Sequence, residues 1–412
     1  MLANPEELLP ASAVLVPLGT EPVTVAAVRA LRLTVAPCWD QSRVEVLAAC
    51  ADALLRHERL RRDPAAASLA FWLRRAHLKE LARGFPAEAG GRRVPAGLVL
   101  HITPANVDTM FMYSWALSFL AGNANVVRLT TRASPLMIGL LEVLAAVFAQ
   151  HRQATRGNWF VSYEHDDVVT GAFSTACDQR IVWGGDETVR RLRAIPLNPH
   201  AGERSFASKR SLSVVDAVAY QSAAPDVLRQ LAVKMAVDVL PFGQMACSSP
   251  HQVFWIGPST TAAEGIRAFE ANLEAAVAAR SEGHDLGAAV RRLNAAFAGA
   301  ASGAAHRVTL GAHTASLEAR QPVYAEQADP CGVSLLYHAS CGAVAELASM
   351  LRPDHQTITY FGLSAEDLDQ LADLAGGAGV DRVVPIGQAL DFSPHWDGYA
   401  LWTDLTRHVT LR

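Results

Sequence analysis

The sequence predicts an α/β protein. Short apolar runs alternate with helical stretches from about residue 97 to 194, and a second alternation of the same kind opens near residue 211. Runs that are apolar almost throughout suit strands covered on both faces, and the helices between them supply the crossovers of a parallel sheet.

Residues 22–83 are Ala- and Leu-rich with charges at intervening positions, punctuated by Asp63-Pro64 and Gly84-Phe85-Pro86, which predicts helices that serve as packing material. After Gly90-Gly91 four strand–helix units follow: 97–102 into 107–121, 124–129 into 135–150, 159–163 into 167–177, and 180–183 into 187–194. This is a Rossmann-like nucleotide domain by pattern. The polar stretch Asn198 to Arg210 breaks the rhythm. Beyond it, strands are expected at 211–215, 252–256, 333–337 and 356–360, with helices at 225–240, 259–281 and 283–300 and a loop around Cys247. The Ala/Gly tract at 295–305 reads as a helix end plus surface loop.

The formal charge of −4 over 412 residues, with both signs interspersed, gives no footprint for nucleic acid or an anionic membrane. The cluster Arg190, Arg191, Arg193 reads as a solvated helix face. The most apolar stretch, Met110 to Leu120, falls well short of the roughly 20 residues needed to span a bilayer. No basic leader opens the chain, so a soluble, cytoplasmic protein is expected. Cys38, Cys50, Cys177, Cys247, Cys331 and Cys341 are scattered without CxxC or a His pair at ligand spacing, which predicts neither a metal site nor a disulfide framework.

Four places could carry chemistry. Gly184-Gly185-Asp186 lies between a strand and a helix, where backbone N–H groups can approach a phosphate; a structural turn is the alternative. Gly122 reads as a left-handed helix cap, and Arg128, at the end of the next strand, points into the ligand crevice of a parallel sheet. With Arg132 it could pair a ribose 2′-phosphate, or both could be ordinary surface arginines. Cys247 sits in Pro241-Phe-Gly-Gln-Met-Ala-Cys-Ser-Ser-Pro250, a turn that can present a thiol to a carbonyl carbon. Cys38, Cys50 and Cys177 fall on helical, Ala-rich segments and read as packed thiols. Asn106, just past a strand end and Thr103-Pro104, is either an oxyanion donor or a helix N-cap.

In this order, His101-Ile-Thr-Pro-Ala-Asn-Val107, Tyr113-Ser-Trp-Ala-Leu117, Leu120-Ala-Gly-Asn-Ala-Asn-Val-Val-Arg-Leu129, Val182-Trp-Gly-Gly-Asp-Glu-Thr-Val189, Ala246-Cys-Ser-Ser-Pro250, Ala389-Leu-Asp-Phe392 and Trp396-Asp-Gly-Tyr399 resemble segments of the aldehyde dehydrogenase superfamily, specifically its acyl-CoA reductase branch, the luciferase-operon fatty acyl reductases. The resemblance spans roughly residues 90–410. It implies an aldehyde dehydrogenase-like fold: N-terminal helices and a Rossmann-like NADPH domain at 1–210, an α/β catalytic domain at 211–385, and a segment 386–412 returning to the cofactor domain or an oligomer interface. By the same resemblance Cys247 is the nucleophile and Asn106 an oxyanion donor. Arg128 takes the place of a ribose-binding Lys, and Thr103, Pro104, Thr130, Arg132, Gly184, Gly185 and Thr188 complete a cofactor site. Where aldehyde dehydrogenases carry Glu-Leu-Gly-Gly-Lys, this chain reads Ser205-Phe-Ala-Ser-Lys-Arg210, without the Glu that activates water.

The implied reaction is NADPH-dependent reduction of an acyl thioester, presented on CoA or an acyl carrier protein, to an aldehyde. A homodimer or tetramer is implied by the superfamily. Phe111, Met112, Trp115 and Met245 could line a lipid tunnel or pack a core. Two other readings stay open at the level of sequence: a thiol acyltransferase without reduction, and a non-catalytic nucleotide-binding protein.

Overall fold

A computed structural model describes residues 7–17, 19, 21–86, 91–280, 285–303, 305–319 and 332–412. Cys331 lies outside the described residues. The chain divides into two compact units, one of residues 1–207 with 393–412 and one of residues 208–392.

In the first unit, helices α1 (Gln41–Arg56), α2 (Pro64–Trp72) and α3 (Arg75–Arg83) precede the sheet. Asp63 caps α2, accepting from the backbone of Ala65 and Ala66, and Pro64 takes the first helical position, where its missing N–H costs nothing. Arg43 of α1 is buried, donates to the carbonyls of Phe119 (2.9 Å) and Asn123 (2.8 Å), and lies over the Phe119 ring.

The strands of the first sheet are β1 (Val14–Val16), β2 (Leu98–Ile102), β3 (Ala124–Leu129), β4 (Asn158–Ser162), β5 (Gln179–Trp183) and β6 (Gly202–Phe206), with α4 (Met110–Leu120), α5 (Pro135–Gln150), α6 (Asp167–Ala176) and α7 (Asp186–Ala194) between them. Their order across the sheet is β1-β4-β3-β2-β5-β6. All pairings are parallel except that of β1 with β4. The chain winds from β2 outward through β3 to β4, then returns to lay β5 on the other side of β2. That reversal makes the gap beyond the C-terminal ends of β2 and β5 a topological switch point, where open sheets of this kind bind ligands. Residues 406–410 return to this unit and pair antiparallel with 91–95.

Two strands of this six-stranded sheet escape the sequence reading. β1 falls ahead of the segment read as structured. β6 lies inside the polar stretch Asn198 to Arg210. As an edge strand β6 can be polar: Glu203 is held by the buried Arg180 (2.5 Å) and by Arg193 (3.3 Å), so an ion pair does what hydrocarbon does elsewhere in the sheet.

The second unit is built on β7 (Arg210–Asp216), β8 (Pro250–Ile256), β9 (Ala305–Leu310), β10 (Ala315–Ala319), β11 (Leu335–Cys341), β12 (His355–Phe361) and β13 (Arg382–Pro385), in the order β9-β10-β11-β8-β7-β12-β13. Only the β9–β10 edge pairing is antiparallel among the described residues. Helices α8 (Pro225–Val239), α9 (Ser259–Ala278), α10 (Leu286–Ala301) and α11 (Ala365–Ala378) connect the strands. Alternate residues of the central strands feed separate cores: Val215, Val253 and Trp255 pack with α8 and α9, while Leu212, Val214 and Phe254 pack with Leu371 and Ala375 of α11. The hairpin β9–β10 is a further addition; the Ala/Gly tract ends α10 at Ala301 and continues into an exposed turn at 302–303, as expected.

Candidate active site

The loops after β2, β3, β4 and β5 enclose a crevice of about 470 Å³ in the first unit. Its lining includes Thr103, Pro104, Asn106, Arg128, Thr130, Arg132, Gly184, Gly185 and Thr188. The structure therefore gathers in one place every residue assigned to the cofactor, together with Asn106. Thr103 ties two of these loops by donating from N (3.3 Å) and Oγ1 (2.9 Å) to the Arg128 carbonyl. The Arg128 guanidinium donates to the Tyr163 carbonyl (2.9 Å) and rests over the Tyr163 ring. Burial pulls its pKa below the usual range, a condition that an anionic ligand relieves. Gly184 is tightly placed, since a Cβ there would stand 3.1 Å from Thr188 Cγ2, and Gly185 is the N-cap of α7 with no side chain over its first turn.

Among the described residues three guanidiniums line the crevice, Arg128, Arg132 and Arg191, against one carboxylate, Glu164. The expectation that Arg190, Arg191 and Arg193 form a solvated face is corrected for Arg191. One helical turn from Thr188, it shares the crevice face, a spacing visible in the sequence, while Arg190 and Arg193 are exposed. Glu164 was also missed; it accepts from Thr131 Oγ1 at 2.8 Å.

Asn106 is exposed in a bend, and α4 begins only at Met110, with its N-cap at Thr109. The N-cap reading of Asn106 is thereby removed: the turn 107–109 intervenes because the helix starts three residues later than its apolar periodicity suggests.

Beneath the crevice lies a buried polar chain that sequence reasoning missed. Both amide hydrogens of Asn125 are committed, to the Asn123 carbonyl (3.1 Å) and Asn158 Oδ1 (2.7 Å), so its Oδ1 must accept from His101 Nε2 (3.0 Å). His101 Nδ1 then accepts from Ser114 Oγ (2.7 Å), whose oxygen accepts from Trp183 Nε1 (3.0 Å). The proton order is fixed with a neutral imidazole, and burial holds the His101 pKa at about 4. The chain sets the plane of Trp183, which stacks on Phe206 with centroids 3.7 Å apart and lines the crevice.

Cys247 belongs to the second unit, at the N-terminal edge of the parallel strands β7, β8 and β12. The turn before it is strained: Phe242, Gly243 and Gln244 have φ of 56°, 59° and 66°. For the two non-glycine residues a left-handed backbone costs about 1–2 kcal/mol each, and such strain persists only where surroundings over-determine it. Gln244 supplies the determination. Its buried amide donates to the carbonyls of Pro250 (2.8 Å) and Leu335 (3.0 Å) and accepts from Leu335 N (3.0 Å). Gly243 O accepts from Val333 N at 2.9 Å, and a Cβ on Gly332 (φ +67°) would lie 2.1 Å from that same oxygen, so glycine is required there.

The Cys247 carbonyl accepts from Ser211 Oγ (2.7 Å), and the Gln356 amide nitrogen lies 3.2 Å from Cys247 Sγ. The thiol is partly exposed. Burial drives Cys50, Cys177 and Cys341 up to about 12 and raises Cys38. Cys38 and Cys177 correct one expectation, since Cys38 lies in a loop, its Sγ 3.2 Å from Ala121 O, and Cys177 caps α6. Phe111, Met112 and Trp115 are core, buried among Phe119, Phe148 and Phe160; Met245 is exposed two residues before Cys247.

The fold is aldehyde dehydrogenase-like. An aldehyde dehydrogenase from Sinorhizobium meliloti matches with a TM-score of 0.66 at 13% identity, over 98% of this chain and 91% of that one. The NADP-dependent glyceraldehyde-3-phosphate dehydrogenase of Bacillus halodurans matches at 0.65 and 15%, over 97% and 94%. Residues 75–408 match the acyl-CoA reductase (LuxC) family, and the chain belongs to that family. It is similar to the long-chain acyl-protein thioester reductase of Aliivibrio fischeri, 27% identical over 167 residues, 40% of this chain and 33% of that protein. A second reductase of that description, from Photobacterium leiognathi, is 26% identical over 172 residues, 41% and 34%. The matched stretch thus spans about a third of these curated relatives. No helix among the described residues is long and apolar enough to cross a membrane.

Proposed function

We propose that this chain reduces an acyl thioester to an aldehyde with NADPH, holding the acyl group on Cys247. The observation that carries the reading is the presentation of that thiol: a strained turn, pinned by Gln244, leaves Cys247 partly exposed beside an amide donor, whereas Cys50, Cys177 and Cys341 are buried. Family membership and the acyl-protein thioester reductases it resembles support the substrate class. Their names favour a protein-bound acyl donor, with acyl-CoA the other thioester of the same chemistry.

The Cys247 thiolate attacks the thioester carbonyl; a C–S bond forms and the oxyanion's collapse expels the donor's thiolate, leaving a Cys247 thioester of nearly equal energy. A dihydronicotinamide supplies the hydride that the acyl carbon needs. The thiohemiacetal oxyanion then collapses, its C–S bond breaks, and aldehyde leaves with the Cys247 thiolate restored. Asn106 is assigned as an amide donor to the oxyanion. Arg128, Arg132, Arg191, Thr103 and the Gly184-Gly185 turn hold the dinucleotide, and the excess of guanidiniums over carboxylates in the crevice favours the 2′-phosphate of NADPH. Glu203, the carboxylate nearest in sequence to the segment that lacks the water-activating Glu, is committed to Arg180 and Arg193.

Cys247→Ala is expected to abolish NADPH oxidation driven by acyl-CoA or acyl carrier protein while NADPH binding, followed by fluorescence, persists. Asn106→Ala is expected to lower turnover by about 10²-fold. Full turnover in the first variant overturns the proposal, and parental turnover in the second removes Asn106 from it.

A further inference from the structure

We infer that Gln356 is the group that stabilises the Cys247 thiolate, and that Arg382 and Thr357 fix the amide so that its nitrogen, not its oxygen, faces the sulfur. The inference rests on the proposed role of Cys247 and adds the element that the role lacks, a means of populating the thiolate. A Gln amide has a donor end and an acceptor end of nearly identical shape, so which one meets the sulfur decides whether thiolate or thiol is favoured. The hydrogen-bond chain behind Gln356 favours the nitrogen. Arg382 Nη1 lies 3.3 Å from Thr357 Oγ1, and a guanidinium only donates. Thr357 Oγ1 accepts from it, which leaves its own proton for Gln356 Oε1, 3.4 Å away. The amide nitrogen is left to donate to Cys247 Sγ at 3.2 Å. Polarity runs one way, from a fixed cation through a hydroxyl and an amide to the sulfur, and a donor of this kind favours an anion over a neutral thiol.

The frame around this chain is rigid. Gln356 is fully buried, its carbonyl accepts from Asp381 N (3.1 Å), and Thr357 N donates to Ser211 Oγ (3.1 Å), the hydroxyl that also holds the Cys247 carbonyl. Arg382 is held in turn by the carbonyls of Gln388, Ala389 and Asp391. The other ionisable groups on the neighbouring strands and turns are His251 and His355, both kept neutral with pKa about 4 by burial, Arg210, Arg352 and Asp354, and Lys209 paired with Asp381 at 2.5 Å. Replacing Gln356 leaves all of these in place, so the change isolates the amide.

The test is the pH profile of iodoacetamide alkylation at Cys247, located by peptide mapping on the full chain without acyl donor. Gln356→Leu keeps the volume and removes the donor; the alkylation midpoint should rise by about one pH unit, a roughly tenfold loss of rate at pH 7. Gln356→Glu presents only acceptors and should raise the midpoint further. Thr357→Val frees the amide to turn over and should shift it the same way by less, which also decides the matter if the Leu variant fails to fold. A midpoint unchanged in a folded Gln356→Leu variant, or a Gln356→Glu variant that reacts faster than the parent, overturns the inference. Because alkylation is read without substrate, a Cys247 that shows this shift yet never carries an acyl group would sink the proposed reaction and leave the thiolate assignment standing.

Discussion

The side chain of Gln244 engages both backbone groups of Leu335, donating to its carbonyl at 3.0 Å and accepting from its N–H at 3.0 Å, across 91 residues of chain. It thereby stands in for a strand partner at the head of β11 and holds the left-handed turn that leads to Cys247. Gln244→Ala leaves three buried backbone groups, those of Leu335 and the Pro250 carbonyl, without this partner. At about 1–3 kcal/mol for each group stranded, a loss of roughly 3 kcal/mol or more is expected in urea unfolding. A loss below about 1 kcal/mol contradicts the role.

Arg132 is exposed on the crevice rim, its backbone N–H held by Thr130 Oγ1 at 3.2 Å, so its side chain has room to meet a phosphate. Arg132→Ala is expected to raise KM for NADPH about tenfold or more, the worth of one hydrogen-bonded charge, and to change KM for NADH less than about twofold. Equal effects on the two cofactors would place the 2′-phosphate elsewhere. Glu164→Gln is the companion: removing the carboxylate among the three guanidiniums should favour NADPH further.

Acid should destabilise the protein well before its carboxylates are protonated. His101, His251, His338 and His355 are each held by burial at a pKa of about 4, against 6.5 for the free side chain. Between those values the unfolded chain binds protons that the folded chain refuses, so stability is complete above about 6.5 and is lost as pH falls toward 4. Asp238 works the other way. Burial raises its pKa to about 7, so its contribution is present below about 3.8 and is lost as pH rises through 7. Four groups oppose one, and the urea midpoint should fall between pH 7 and pH 5; a flat or rising midpoint contradicts the burial of these imidazoles as neutral rings.

Much of this arrangement is legible in the sequence where one local signal dominates. α5 is foreseen with its observed bounds because Ser134 and Pro135 mark its start, and the structure uses both: Ser134 accepts from Met137 N, and Pro135 is the first helical residue. The central strands are legible because every residue of β2 and β5 is buried. β1 is not, because its three residues are too short a run to announce a strand, nor is β6, since an edge strand held by ion pairs needs no continuous hydrocarbon. The crevice residues could be grouped because they lie at strand ends or in the turns and first helical residues just beyond them. Gln244, Gln356 and the His101 chain could not: each works through partners brought together by the sheet, and no spacing along the chain announces a glutamine that faces a sulfur 109 residues away.

The central claim is that Cys247 carries the acyl group, and intact-mass measurement after mixing the protein with an acyl-CoA or acyl carrier protein, without nicotinamide, tests it most directly. The account predicts one added acyl mass, mapped to Cys247, that disappears with release of aldehyde when NADPH is supplied. Turnover to aldehyde with no adduct on that residue, or with the adduct on another thiol, would contradict it.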